Sequence, residues 1–409
     1  MFGFLKKMDR RTRVILFTCY FAFFVNGSFS LMMGSAMPDL RAAFRLSDTF
    51  SGVLLSAHSV GNLIAGIVGS LIPLYLGERK AIMLMSSLAG AGFLMMISGG
   101  NPVWLFMAFV FTGFARGSVT SFTNRTVNRI SAGSPQAANC LHASFAIGAV
   151  TAPLVFLLLS RLISWRAALL YIVALSAVSI LNLRRMKLDV EYPDRNDRAN
   201  RTLVFLKNPS YLILAMMMLF YMCSEYSING WLVTYIQNKE ELLSAFHATG
   251  EELEAAVKAY SQTMATLMWV LMFTGRLICA ALLSKISKKK LLMCSGFGVV
   301  ICYVLMISSA SIPLVTIAVA GLGLCMSGMS PTIYSDAAIY TNTYPLATSF
   351  LLVFGSVGSI LMNTIVGALA DRFSFHAAMN AITVSIVLLA IFGVLNITVK
   401  TRMPEGAQN

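Results

Sequence analysis

Over most of its length the chain alternates apolar runs of helix-spanning length with short polar breaks. The runs begin near residues 13, 49, 81, 103, 139 and 166, and again near 210, 260, 289, 312, 346 and 377. A helix of about 20 apolar residues crosses the hydrocarbon core of a bilayer, and it satisfies its own backbone polar groups while doing so. The pattern predicts an all-α membrane protein with twelve transmembrane helices in two six-helix halves. Between the halves lies RRMKLDVEYPDRNDRANRTLVFLKN (184–208), polar, basic and Pro-containing. The expected organisation is an N-terminal half over 1–183, a linker over 184–209 and a C-terminal half over 210–409.

Composition agrees with the runs. Hydrophobic residues make up 57% of the chain and charged residues 12%, with a mean hydropathy of +0.75, too little charge to cover a soluble surface. The net charge of +14 lies in short clusters between runs rather than on a basic domain, which argues against nucleic acid. With the N-terminus inside, even-numbered loops and both termini hold 22 of the 31 Lys and Arg residues and odd loops hold seven; Arg116 and Arg276 fall within runs. The positive-inside rule then puts both termini in the cytoplasm, as for a multi-pass protein of a cell membrane, a bacterial inner membrane in the first instance. The basic N-terminus, MFGFLKKMDRRTR, leads into an uncleaved first span. On the opposite side, the segment 238–258 carries Glu240, Glu241, Glu251, Glu252 and Glu254 and reads as a solvated loop with a short amphipathic helix.

The seven cysteines form no CxxC pair and have no histidines at ligand spacing, so they read as packing thiols, with no metal and no cofactor expected. The two halves match at an offset near 210: Ser164-Trp165-Arg166-Ala167-Ala168 with Ser374-Phe375-His376-Ala377-Ala378, Gly148 with Gly358, and Gly113 with Gly323. Gly61-Asn62-Leu63-Ile64 matches Gly275-Arg276-Leu277-Ile278 at 214. Such a parallel repeat is a transporter trait.

Ionisable groups inside a span are costly and mark candidate chemistry. Glu225 lies midway along the seventh run, with Tyr221 and Asn229 one turn to either side on the same face. A desolvated carboxyl there suits binding and release of a proton during transport; a structural ion pair is the plainer reading. The fourth run carries Arg116, Thr120, Asn124 and Asn128 at four-residue steps. Thr120 and Asn124 suit a hydroxyl-rich solute, or equally interhelical hydrogen bonds, while Asn128, with Arg125 and Arg129, sits at the cytoplasmic edge outside the site. Arg116 has two open readings, an ion pair with Glu225 or contact with an anionic group of the solute. Asn26 with Ser30, His142, and Ser356, Ser359 and Asn363 are further candidates for the solute site, His142 doubling as an ordinary structural histidine. Trp231, four residues before Tyr235, stacks on a sugar-like face or anchors the helix at the interface. Asp336, near the cytoplasmic end of the tenth run, makes a packing contact or a gate.

Two strings carry a family resemblance. Tyr221-Met-Cys-Ser-Glu225-Tyr-Ser-Ile-Asn-Gly-Trp231-Leu-Val-Thr234-Tyr235 is similar to the seventh-helix pattern of the fucose–proton symporter branch of the major facilitator superfamily. Asn139-Cys-Leu-His142-Ala-Ser-Phe145-Ala-Ile-Gly148 resembles the fifth helix of the same branch. The stretch 69–80, closing on Gly77-Glu78-Arg79-Lys80, looks like a degenerate form of the superfamily's gating loop between helices two and three, which implies gating by Glu78 and Arg79. The resemblance implies uptake of a monosaccharide-like solute coupled to a cation. The chain departs from the branch in helices one and four, where Asn26 and Arg116 stand in place of acids.

The leading expectation is a monomeric secondary active transporter for a sugar-like solute, coupled to a proton at Glu225. Efflux of amphipathic compounds, or transport of an organic anion, is the alternative within transport, and a transporter-like membrane sensor the alternative outside it. No nucleophile with its base and no nucleotide-binding motif occurs, so neither an enzyme nor an ATP-driven pump is expected.

Overall fold

A computed structural model describes residues 8–68, 72–131, 135–186, 204–246, 248–283, 285–341 and 344–399. The linker expected over 184–209 lies outside the described residues from 187 to 203, as does the start of the 69–80 loop. No strand occurs among the described residues. The long helices are α1 (Arg10–Phe44), α2 (Asp48–Val68), α3 (Glu78–Ser98), α4 (Pro102–Ile130), α5 (Pro135–Leu162) and α6 (Trp165–Arg185). They are followed by α7 (Pro209–Gln237), α8 (Gly250–Leu282), α9 (Lys288–Ser308), α10 (Ile312–Met326), α11 (Pro345–Arg372) and α12 (Phe375–Thr398). After Met326 the chain carries on in two short helical pieces, Met329–Asp336 and Ala338–Thr341. Eleven of these stretches are long and apolar enough to cross a membrane by themselves, and the 21-residue α2 completes the set of twelve.

Local chemistry sets the helix starts. Asn101 and Asn208 accept from the first free N–H groups of α4 and α7, each just before a proline whose fixed φ suits a helix start. Ser164 and Ser374 cap α6 and α12 alike, each accepting from the N–H three residues on (3.3 and 3.1 Å), so the matched Ser-x-x-Ala strings are matched caps. Gly77 precedes α3 at φ 75°, a backbone that favours glycine. The acidic segment resolves into a short helix, Glu240–Leu243, and the first turns of α8, where Glu251 and Glu252 face a favourable helix dipole.

Residues 1–47 and 53–191 form one compact unit, and residues 48–52 and 192–409 a second. In unit 1, α1 packs on α5 and α4, and α3 on α4 and α6. In unit 2, α7 packs on α11 and α12, α8 on α10, and α9 on α10 and α12. Unit 2 also holds a long-range cap: both carboxylate oxygens of Asp371 accept from the N–H groups of Asp48 (2.8 Å) and Thr49 (2.7 Å). In the same unit, Lys239 donates to the last carbonyls of α9, Met306 (3.0 Å) and Ile307 (2.7 Å).

Helix crossings fix the register of the repeat. In unit 1, a Cβ on Gly113 would run into the carbonyl of His58; in unit 2, a Cβ on Gly323 would run into that of Met268, both positions 210 residues on. Gly117 faces Ala65 and, again 210 residues on, Ser327 faces Gly275. Gly148 lies on Phe24 and Ser28 as Gly358 lies on Leu219 and Cys223, so α5 maps to α11 at 210 and α1 to α7 at 195. Packing therefore puts Gly275 in the place of Ala65, and the 214 match of Gly61 with Gly275 is not the structural register.

Candidate functional site

In unit 1 the polar stripe of α4 meets α1 and α2. Asn26 is fully buried, and its amide nitrogen donates to the Thr120 hydroxyl (2.9 Å) and the Arg116 carbonyl (3.3 Å). Its Oδ1 has no partner among the described residues. The Arg116 guanidinium lies over the Phe145 ring, 5.6 Å from its centre, on a half-buried side chain. The structure thus joins Asn26, Arg116 and Thr120. It leaves the others apart: Asn124 donates to the Thr120 carbonyl of its own helix (2.8 Å), and Ser30 to the Asn26 carbonyl (2.7 Å). His142 is exposed, edge-on to Phe23 at 5.5 Å.

The same interface contains a group that the sequence reading passed over. His58 on α2 is 3% exposed, and its Nδ1 lies 3.0 Å from the Thr112 hydroxyl on α4. Thr112 is one turn before Arg116 and two before Thr120, so one face of α4 carries the histidine contact, the cation and the asparagine contact in order. The His58 Nε2 has no partner among the described residues, a burial that costs roughly 1–3 kcal/mol for an unsatisfied polar atom. A lone histidine in an apolar run gave no sign of this, since its partner is 54 residues away.

Of the residues expected to gate, Glu78 is buried (7% exposed) between two α4 cations, Arg125 at 3.7 Å and Arg129 at 3.9 Å. Arg79 is exposed.

In unit 2, Glu225 is 8% exposed on α7. One turn before it, Tyr221 donates to the Met326 carbonyl (3.2 Å) and neighbours both the Glu225 carboxylate and Arg276 of α8. Arg276, seen in the sequence only as a basic residue within a run, thus shares the surroundings of Tyr221 with Glu225. One turn after Glu225, Asn229 accepts from the Trp269 indole (3.0 Å). Trp231 is fully buried against Phe375, ring centres 5.4 Å apart, which makes it part of the core of unit 2. Ser359 and Asn363 are buried on α11 and hydrogen-bond within it, to the carbonyls of Ser356 (2.9 Å) and Ser359 (3.0 Å). Asp336 accepts from Asn396 of α12 (3.0 Å). No cluster of three or more metal-ligating side chains occurs among the described residues.

The repeat register allows the two sets to be compared. At 195, Asn26 and Ser30 correspond to Tyr221 and Glu225, so each unit places a polar pair at the same level of its first helix. At 210, His58, Thr112 and Arg116 correspond to Met268, Leu322 and Met326, all buried and apolar.

Comparison with known proteins agrees with this architecture. The chain has the same fold as the nucleoside transporter NupG (TM-score 0.73, 13% identity, covering 96% of this chain and 100% of that one). It is also similar to a bacterial homologue of the human lysosomal transporter Spinster (TM-score 0.72, 13% identity, 98% and 100% covered). No curated protein sequence matches it. The family model of the Major Facilitator Superfamily matches residues 19–246, more than half of the chain. With twelve long helices in the fold of that family, the chain belongs to the Major Facilitator Superfamily and is a multi-pass membrane transporter rather than an enzyme.

Proposed function

We propose that the chain is a secondary active transporter that moves a small polar solute, a sugar or sugar-like compound, by alternating access, with proton coupling at Glu225. The observation that carries this reading is the Glu225 carboxylate, 8% exposed midway along a membrane-spanning helix and flanked on its own face by Tyr221 and Asn229. Intramembrane acids are expensive, and a carboxyl that gains and loses a proton as access alternates has a reason to be there. The polar contacts of Asn26 and Thr120, with donors and acceptors but no acid, suit a hydroxylated solute. The reading takes the molecule as a monomer in a bacterial inner membrane, with both termini cytoplasmic and its halves at 1–183 and 210–409, on the strength of the inside-biased charge and the apolar runs.

Proteoliposomes made with and without an inward proton gradient test the coupling. Wild type accumulates solute only with the gradient, whereas Glu225→Gln keeps solute exchange and loses accumulation. Gradient-driven accumulation by Glu225→Gln would remove Glu225 from the coupling role. A second reading, transport of an organic anion, is favoured by the guanidinium of Arg116 within α4. A thermal-shift screen over sugars, carboxylates and amphipathic drugs separates the two.

A further inference from the structure

The tautomer of His58 follows from its surroundings. The single hydroxyl hydrogen of Thr112 goes to the Phe109 carbonyl at 2.7 Å, a far better acceptor than the Met33 sulfur at 3.4 Å. The Thr112 oxygen then accepts from His58, so the imidazole proton sits on Nδ1 and Nε2 keeps a bare lone pair. That lone pair is buried and has no partner among the described residues. The fold does not require it. At the same crossing in unit 2, Met268, Leu322 and Met326 fill the places of His58, Thr112 and Arg116 around an equivalent glycine contact. A polar set at a crossing where the other unit buries an apolar set points to a ligand.

We propose that His58 Nε2 is a specificity-determining acceptor, taking a hydrogen bond from an O–H or N–H group of the transported solute beside Arg116. This rests on the carrier reading above and deepens it. Along one face of α4, His58 holds Thr112 through Nδ1 and Asn26 holds Thr120 through its amide nitrogen, which leaves the Nε2 of the one and the Oδ1 of the other without a partner among the described residues; Arg116 lies between Thr112 and Thr120 on the same face. Two acceptors around one cationic donor fit a small solute with at least two hydroxyl or N–H donors and an acceptor or anionic group, as in a sugar or a sugar acid. The nitrogen is enclosed in this conformation, so a solute hydroxyl reaches it in a state of the transport cycle in which α2 and α4 part at this level.

The test uses the full chain in proteoliposomes, with radiolabelled D-glucose, L-fucose, D-glucuronate and uridine as probes, followed by deoxy analogues of whichever is carried. His58→Asn preserves a polar atom at the Nδ1 position for Thr112 and deletes the Nε2 acceptor. His58→Gln places an amide oxygen near the Nε2 position. Expected are a rise in KM of about tenfold or more for His58→Asn with its thermal stability retained, and substantial rescue by His58→Gln. One deoxy analogue loses its penalty in His58→Asn, because the hydroxyl it lacks has no acceptor left to satisfy. An unchanged KM in His58→Asn overturns the proposal, as does equal loss in both variants, which indicates a proton-carrying or purely structural imidazole. If wild type carries none of the probes, the carrier reading for these solutes fails before any variant is compared, and this proposal falls with it.

Discussion

At the scale of the residue, a polar side chain survives inside a span only when its hydrogen-bonding capacity is used, and the exceptions are where function is to be sought. Glu225 was legible as a candidate because its two neighbours on the same helix face are four residues away on either side, a local pattern. His58 was not, because Thr112, the residue that fixes its tautomer, comes from another helix. Trp231 was misleading for a related reason: an aromatic near a helix end looks alike whether it faces solute or core, and only Phe375 of α12 shows that it is core. Lys239 gives a clean residue-level prediction. Its ammonium is buried (4% exposed), and the burial pushes it below the usual lysine range, with Glu241 acting in the opposite direction. It nonetheless donates to two carbonyls at the end of α9. Lys239→Met leaves those carbonyls unpaired and is expected to cost about 1.5–3 kcal/mol, read as a lowered unfolding midpoint in detergent with KM unchanged.

At the scale of the element, crossings and caps decide more than hydropathy does. The apolar runs marked where helices lie but not which faces meet, since lipid and protein interior select the same residue types. The glycines carried that information, and their spacing at 210 was readable; the competing match at 214 was not separable from it until Gly275 was seen against Ser327. Gly113→Leu and Gly323→Leu both force α4 or α10 away from a neighbouring backbone, so both are expected to lower folded yield and melting temperature in size-exclusion and thermal assays. The apolar crossing of unit 2 gives a sharper test in unit 1. The triple variant His58→Met, Thr112→Leu, Arg116→Met copies residues that pack at the equivalent place, so it is expected to fold with at least wild-type thermal stability while losing transport. At the start of α3, Glu78 has two cationic partners on α4, so replacing Arg125 or Arg129 singly with Gln is expected to change stability less than Glu78→Gln, which leaves both cations without the shared carboxylate.

At the scale of the whole molecule, the twelve runs, the helical class and the transporter family were all readable from the chain, because a bilayer imposes one length and one backbone solution on every crossing. The solute was not readable, because the candidate polar side chains meet only across helices far apart in sequence, as Asn26 meets Thr120. Orientation is open to a direct check: a fluorescent protein fused to the C-terminus is expected to glow and a periplasm-dependent phosphatase at the same point to stay inactive, the reverse pattern inverting the topology. The cap on α2 has a consequence for synthesis. The Asp371 carboxylate comes 323 residues after the Asp48 amide it satisfies. At roughly 5–20 residues per second, a ribosome adds the missing partner about 15–65 s after the amide has emerged. Unit 1, residues 1–47 and 53–191, draws its contacts from residues already made, so it can settle while this one turn of unit 2 waits. The second helix is therefore begun early and finished last, and a chain released before its eleventh helix is expected to carry an intact first bundle with a frayed, protease-sensitive turn at residues 48–52.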